Sequence, residues 1–571
     1  MISIKYLLAS LLLISFIDQA GFAAPPVSQS AGGFAGRQEF ESRKKKLEAR
    51  IEEIRMTEPE TFGLEAEIQS DERKVFIEDI VVEGASLLNE KELAGIVEKY
   101  EGRELSFQDM QKLTTELTDR YRQRGYVTSR AYIPPQKIKK NVLGIRIVEG
   151  RLGDLEVKGS KFFKPGMLER KIDFGPEGYF DYSALQRSLV YINEHPDRKA
   201  KAVLTPGREP GTTDVIIEVD DRVPVHAGFE YDNWGSRFID RNRYAVIFEH
   251  NNVLGYDDKL FLKGQAAENQ QMTLGQARYT YPLNTGLELG VYTLYSKVRP
   301  GEEFAAFDST GDAEIYGIFG IKRLIVRDAF DIRFNFGFDY KSISDDFADV
   351  ELSRDEVRVI RGGFDIDWAD RWGRTIFTVE VDQGISEVMG AMEKKDPMAS
   401  RTGAGSKFTK SIFNLFRLQP MPFETFLLWK NIAQYTNHRL IAAEQFQIGG
   451  AASVRGYSPA EFSGDKGFYM SMELSIPWYF LSKTARVPFY KQDRWYDALR
   501  FVLFWDWAYV NRIGPAFGEE ETDTLQGAGF GVRFNLSEHL DCRVEIGYPL
   551  GGPVPSDGDH MHPWIEFNYK F

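Results

Sequence analysis

Cysteine is nearly missing from this chain: Cys542 is the one cysteine in 571 residues. That excludes an internal disulfide and a cysteine-based zinc site. Long apolar runs are missing too. The one run, Leu7 to Ile17, is too short to span a bilayer as a helix. Mean hydropathy is −0.35, so a helical membrane transporter is excluded. Positive charge is in deficit, with 71 Lys+Arg against 85 Asp+Glu and a net charge of −14. A nucleic-acid partner calls for a basic patch and is therefore not expected. The chain has no Walker-type phosphate loop, and nothing sets a Ser or Cys nucleophile beside a histidine. We expect no enzyme, no cofactor and no metal. The segment Asp557-Gly558-Asp559-His560-Met561-His562 has metal-binding residue types, but it lies in a polar loop with no further ligand set. What is abundant is aromatic residues and glycine: 42 Phe, 26 Tyr, 9 Trp and 51 Gly. Intrinsic disorder is excluded on that ground.

The N-terminus has the layout of a secretory signal. Lys5 precedes the apolar run, and Gly21-Phe22-Ala23 stands just before Ala24-Pro25-Pro26. Residues 1–23 are read as a removed signal peptide, so the mature chain works beyond a membrane. Residues 24–74 hold a Ser/Gly/Ala-rich tether, a helix over about 37–55 and a linker. The helix is dense in Lys, Arg and Glu with a thin stripe of Phe40, Leu47, Ile51 and Ile54. It reads equally as a solvated surface helix or as a polar helix lodged in a wet lumen.

From Val75 a pattern of strand, helix, helix, strand, strand runs twice. In the first copy the strand is Val75–Glu83, Asn89 caps a helix to about Tyr100, and Ser106 caps a long helix ended by Gly125. Strands follow near 126–133 and 142–148. In the second copy the strand is Leu152–Val157, helices fit 165–172 and 182–193 (the latter capped by Asp181), and strands lie near 200–204 and 215–219. Two units of matching order make an internal duplication, 75–150 and 151–222.

From Val223 helical spacing disappears. Segments of about ten residues alternate apolar and polar and are punctuated by Gly, Asn and Asp. Trp505 and Trp507 fall on one face with Asp506 on the other, and Ile565, Phe567, Tyr569 and Phe571 alternate with Glu566, Asn568 and Lys570. At ~10 residues per tilted strand, residues 223–571 accommodate about sixteen strands. No blade repeat suggests a propeller. The aromatic-rich apolar parity fits the girdles of a transmembrane β-barrel, which must close because hydrocarbon tolerates no open sheet edge.

Three stretches resemble the two-partner secretion transporters, the class that exports haemolysins and filamentous adhesins, within the superfamily that joins periplasmic POTRA domains to an outer-membrane barrel. The first is Tyr121 through Gln136, with Gly125, Tyr126, Val127, Thr128, Ser129 and Arg130 at its centre and Val148-Glu149-Gly150 closing the unit. The second is Val454-Arg455-Gly456-Tyr457, the superfamily's VRGY motif. The third is Phe504-Trp505-Asp506-Trp507-Ala508, placed like the F-x-D-x-G strand motif but with Ala508 where Gly is usual. The resemblance implies a 16-stranded barrel over 223–571, two POTRA domains, and a plug helix where 37–55 lies. It also implies that Arg455 locks against Asp506 in the lumen, as lumen parity for Asp506 and the bidentate geometry of arginine allow. On the other reading Arg455 is an ordinary loop cation and Asp506 a wet lumen residue.

With no nucleotide site, export is expected to be driven by the client. An extended, unfolded client adds a strand at the sheet edge of the region Gly125–Arg130 and folds outside, which makes return unfavourable. The expected partners are a secreted exoprotein (adhesin, cytolysin or toxin), the barrel-assembly machinery reading Phe571, and outer-membrane lipid. The expected location is the outer membrane of a Gram-negative bacterium, with the POTRA domains periplasmic. The rival readings are an outer-membrane protein insertase of the same superfamily and a passive porin or receptor barrel.

Overall fold

A computed structural model describes residues 74–571 apart from 176–177, 285, 302–307, 328, 349, 489–493 and 537–538. The signal-peptide and plug-helix expectations lie outside the described residues. Two compact units emerge, one within residues 58–224 with 251–257, the other 225–250 with 258–571.

In the first unit, local chemistry sets each helix. The Asn89 side chain accepts from the amide of Glu92 while Glu92 reaches back to the Asn89 amide, and α1 runs Glu90–Val97. Ser106 and Asp109 form the same reciprocal cap, and α2 runs Phe107–Gln123. Such caps satisfy amides that have no partner within the helix. The expected single strand 75–83 is divided into β1 (Lys74–Ile77) and β2 (Asp79–Glu83). The Glu78 amide between them donates to Asn141 O at 2.8 Å. β1 pairs with β3 (Arg103–Ser106), a strand that sequence reasoning overlooked. β4 is only Arg130–Tyr132, and β5 is Val142–Val148.

The second copy supplies β6 (Arg151–Lys158), α3 (Pro165–Glu169), α4 (Tyr182–Asn193), β7 (Arg198–Pro206) and β8 (Thr212–Asp221). Both copies build the same three-stranded sheet, β2-β5-β4 and β6-β8-β7, whose first pair is parallel and second antiparallel. Each sheet buries its apolar parity under its helices. Leu113, Leu117, Leu143 and Ile145 form the first core, and Leu168, Phe180, Leu185, Val215 and Ile217 the second. Each such side chain contributes about 1.5–3 kcal/mol.

The second unit is a closed barrel of sixteen strands. They are β9 (Val225–Asp232), β10 (Arg243–His250), β11 (Lys259–Ala267), β12 (Met272–Asn284), β13 (Leu287–Val298), β14 (Ser309–Arg327), β15 (Phe330–Phe347), β16 (Val350–Asp370), β17 (Gly373–Ile385), β18 (Thr409–Met421) and β19 (Thr425–Thr436), then β22 (Lys466–Pro477), β23 (Leu499–Asn511), β24 (Thr522–Leu536), β25 (Leu540–Pro549) and β26 (His562–Lys570). Between β19 and β22 a loop carries its own hairpin, β20 (Phe446–Ile448) with β21 (Phe462–Gly464). β26 returns to β9 with the short register Glu566↔Asp232 to Lys570↔Gly228 and closes the wall. Alternation divides the strands as a lipid-facing barrel requires. Val246, Ile318 and Ile360 stand exposed outside, whereas Asp339, Lys430, Asp506 and Glu545 are buried within. Among the described residues no helix is long and apolar enough to cross a membrane; a barrel crosses with strands. We call the end where β9 begins and β26 finishes the near rim, and the opposite end the far rim.

Candidate functional site

The loop from Thr436 to Lys466 leaves the far rim and folds back into the lumen. Its apolar residues Phe446, Ile448, Val454 and Tyr457 pack with Tyr469, Ala508, Val510 and Leu525 of the wall. That burial brings Arg455 down to the middle of β23. The backbone is close enough there to demand glycine on both sides. A Cβ on Gly456 would stand 2.6 Å from Pro549 N, and one on Gly547 only 2.1 Å from Arg455 O. Ala508 needs no such exemption, because its methyl is part of the apolar cluster.

Arg455 is 2% exposed and Asp506 0%. Arg455 Nε and Nη2 donate to the two Asp506 oxygens at 2.7 Å each, and the Arg455 amide donates to Oδ2 at 3.2 Å. Arg455 and Asp506 thus form a buried bidentate ion pair. Two further carboxylates complete the site. Nη1 lies 2.9 Å from Glu473 Oε1 and 2.9 Å from Glu545 Oε2. Nη2 also donates to Ser471 Oγ at 3.1 Å. The guanidinium carbon sits 3.4 Å from the Phe504 ring centroid, a cation–π contact. Behind the carboxylates, Lys430 donates to Glu473 at 2.7 Å, and Arg533 bridges Glu473 at 3.0 Å and Glu545 at 2.5 Å. Three cations and three anions are thus interleaved, leaving the buried cluster neutral. Trp564 holds the loop from above, donating to Arg455 O at 2.8 Å.

Sequence reasoning placed Arg455 and Asp506 together but missed Glu473, Glu545, Arg533 and Lys430. The signal that could have found them is lumen parity: each is a charged residue on the polar face of an adjacent strand. Val454 is buried, Gly456 fits against 548–549, and Tyr457 OH donates to Gly551 O at 2.8 Å. The loop's outer end is tied to the 550–561 connection as well. The Ser556 amide donates to Glu461 at 2.7 Å, and the Ser458 hydroxyl donates to Asp557 at 2.6 Å. Here the structure brings Asp557, Asp559 and His562 within ligand distance of one another, 4.8 Å or less. Arg241 lies 3.2 Å from both aspartates, and His562 Nε2 donates to Asp557 at 3.0 Å. These groups make a loop-to-loop tie.

The Gly125–Arg130 segment lies elsewhere, in the first unit. Gly125 has φ +95°, and a Cβ there would stand 2.5 Å from Asp181 Oδ1 and Ser183 Oγ at the N-terminus of α4. Its carbonyl accepts from the Tyr182 amide at 2.9 Å. Tyr126 sits edge-on to Tyr121, Val127 packs onto the second copy's core, Thr128 lies against Gly150, and Ser129 Oγ accepts from the Gly150 amide at 3.0 Å. Only Arg130 of the six is exposed, on the edge strand β4. Beside them Glu149 collects neutral donors: the amides of Ser86 and Leu87 at 2.7 and 2.8 Å, the Tyr121 hydroxyl at 2.7 Å and the Ser86 hydroxyl at 2.5 Å. Burial would raise the Glu149 carboxyl, but these hydrogen bonds outweigh it and hold it below its ordinary value. Phe571 is exposed at the near rim, its amide donating to Ala227 O at 2.8 Å, with Tyr569 edge-on at 4.7 Å.

Residues 211–492 match the family profile described as haemolysin secretion/activation protein ShlB/FhaC/HecB, and residues 75–150 match POTRA domain, ShlB-type. The heme/hemopexin transporter protein HuxB of Haemophilus influenzae is 23% identical over 84% of this chain and 84% of its own length. The outer membrane transporter CdiB of Escherichia coli is 24% identical over 84% of this chain and 80% of its own. The solved structure of CdiB from Escherichia coli superposes with a TM-score of 0.76 at 21% identity, covering 94% of this chain and 98% of that one, and so shares the fold.

Proposed function

The chain belongs to the family of haemolysin secretion/activation proteins, and we propose that it is the exporting half of a two-partner secretion pair. It is an outer-membrane β-barrel with its POTRA domains in the periplasm, so the near rim faces the periplasm and the far rim the exterior. On our reading the two duplicated units, 75–150 and 151–222, take hold of an unfolded exoprotein, an adhesin, cytolysin or toxin, and pass it through the lumen. The observation that carries the reading is the Arg455 lock. A loop anchored in mid-barrel by one neutral charge cluster stays in place yet can be displaced as a unit when a client enters. Nucleotide is not needed, since folding outside withdraws the client from the periplasmic pool.

Capture falls to the open sheet edges. Within the signature segment, Arg130 on β4 offers main chain to an extended client, while Gly125 to Ser129 hold that edge in place against the second copy. The test co-expresses a large exoprotein of the class this family exports with this chain, the latter with and without residues 75–222. Loss of surface exoprotein with the barrel still heat-modifiable is the expected result; intact export removes the capture role. Purified protein that instead sped the folding of other barrels would favour an insertase. Phe571 serves biogenesis on this reading, offering a terminal aromatic to the assembly machinery. Its deletion lowers the amount of assembled barrel.

A further inference from the structure

The near rim holds one connection unlike its neighbours. There two or three residues separate β12 from β13, β14 from β15, β16 from β17, β18 from β19 and β24 from β25, as is usual at a periplasmic face, and eight separate β10 from β11. Residues 478–498, between β22 and β23, are far longer. Long connections in compact folds are commonly functional. This one is built. Val487 and Ala498 pack with Leu536 to make a buried underside, on which Trp495 lies 5.6 Å from Phe534. A short helix, α5 (Trp495–Ala498), leads into β23. The Tyr479 hydroxyl donates to Phe423 O at 2.6 Å, and Lys483 pairs with Glu424, so the 422–424 turn is joined to it. The opposite side is bare: Phe480 is 96% exposed and Phe423 83%, with Trp478 and Tyr479 half-exposed beside them.

Parity says where this bare side faces. Outward residues of β18 are the odd ones, Phe413 and Met421 among them, and Phe423 stands exposed just past that strand end, in the turn to β19 at φ +62°. Outward residues of β22 are the even ones, Met472 among them; Trp478 continues that series, and Phe480 is exposed in the turn closed by the Leu481 amide donating to Trp478 O at 3.0 Å. Trp478 therefore prolongs the lipid-facing band past its strand end, and Phe480 and Phe423 stand exposed in the two adjoining turns, which the Tyr479–Phe423 hydrogen bond joins. Lys483 and Arg494 stand within the same segment in exposed pairs with Glu424 and Asp497. Exposed pairs contribute little, about 0–1 kcal/mol, and exchange readily for another anion. Aromatic rings with adjacent cations suit the headgroup level of a bilayer.

We propose that residues 478–486, with Phe423, form a foot that lies in the inner leaflet of the outer membrane and binds phospholipid there. The rings of Trp478, Phe480 and Phe423 enter the glycerol and upper acyl region, and Lys483 and Arg494 meet the phosphates. The foot braces the barrel on the side that carries β22 and β23, the strands that supply Glu473 and Asp506 to the lock. The proposal rests on the membrane-spanning reading of the barrel, and its test separates the two.

Full-length protein carrying Cys542→Ser and a single bimane-labelled cysteine is placed in nanodiscs of phosphatidylethanolamine and phosphatidylglycerol with acyl chains brominated near the carbonyl. The labelled sites are Phe480→Cys, Ile318→Cys on the outer face of β14 and Thr115→Cys, exposed on α2. Bimane at 480 is expected to lose emission to the brominated lipid and resist aqueous iodide, as at 318, while the label at 115 does the reverse. Iodide quenching at 480 equal to that at 115, with 318 still lipid-quenched, overturns the foot and leaves the barrel reading intact. Absence of lipid quenching at 318 overturns both. Self-quenching at 480 that rises with protein concentration and ignores lipid bromine overturns the proposal in favour of a second copy on this surface.

Discussion

Two carboxylate sites, one buried in the barrel and one half-buried in the arm, hold two motif segments of this molecule, and they do so by opposite electrostatics. In the barrel, Arg455 is held among Asp506, Glu473 and Glu545, with Lys430 and Arg533 behind them. In the periplasmic arm, Glu149 is held by two amides and two hydroxyls with no cation on it. The first is a lattice of full charges in which every member depends on the others. The second is a single anion in a nest of dipoles. Buried ion clusters add little net stability when whole but cost heavily when one member goes. The lumen site is therefore suited to a loop that is either seated or released. The arm site is suited to a joint that tolerates small changes and stays rigid.

The sharpest way to break that comparison is Arg455→Ala. It leaves three buried carboxylates facing two cations, a loss of about 3–5 kcal/mol for a broken buried pair. Export of the exoprotein is expected to fall to background, while heat-modifiability shows the barrel assembled. Arg455→Lys should not rescue it, because an ammonium cannot span both Asp506 oxygens and still reach Glu545. An exporting Arg455→Ala protein would show that the cage is not the lock.

Much of this contrast was legible in the chain, but unevenly. Period-two alternation after Val223 gave the barrel and its strand count, because a lipid-facing wall forces every strand to declare its two faces. Capping residues Asn89, Ser106 and Asp181 marked three helices within a residue or two of their starts. What parity and caps do not encode is which distant strands share a layer. Glu473, Arg533 and Glu545 became a cage only through the register of β22 to β25. The sequence predicts a strand from Tyr126 after the helix end at Gly125, since Tyr126, Val127 and Thr128 favour extended structure, but β4 starts only at Arg130, past the segment Tyr126–Ser129. In the fold it turns instead, because Gly125 abuts the cap of α4 and Ser129 serves Gly150. β3 escaped notice because Arg103-Glu104-Leu105-Ser106 has too few apolar residues to declare a strand.

Asp506→Asn sharpens the comparison from the barrel side. Shape and one acceptor survive, yet one of the charge-assisted bonds to Arg455 is lost, worth about 1.5–3 kcal/mol. Secretion should drop strongly and single-channel recordings should show more open bursts than wild type. On the arm side, Gly125→Ala tests steric fit without charge. A Cβ at φ +95°, 2.5 Å from Asp181 Oδ1 and Ser183 Oγ, should cost about 1–3 kcal/mol. Hydrogen exchange at the Tyr182 amide, which donates to Gly125, should accelerate, while channel behaviour stays as in wild type.

The smallest effect is expected from Glu149→Gln, and it decides whether the arm site uses its charge at all. The amide keeps an acceptor oxygen for Ser86, Leu87 and Tyr121, so the loss is about 0.5–1.5 kcal/mol at neutral pH. The pH dependence follows from the direction of the shift. Glu149 is held below its ordinary value of 4.5 in the folded arm. A group depressed on folding contributes stability that is fully present above the unfolded value and is lost as pH falls through the folded one. From pH 7 to 5 the difference between wild type and Glu149→Gln should therefore stay constant. Below 4.5 it should shrink, because the wild-type side chain becomes neutral as well. Protection of the Ser86 and Leu87 amides, followed by hydrogen exchange across that range, reads the effect locally. A gap that persists undiminished in acid would mean that the arm, unlike the barrel, is fixed by shape alone.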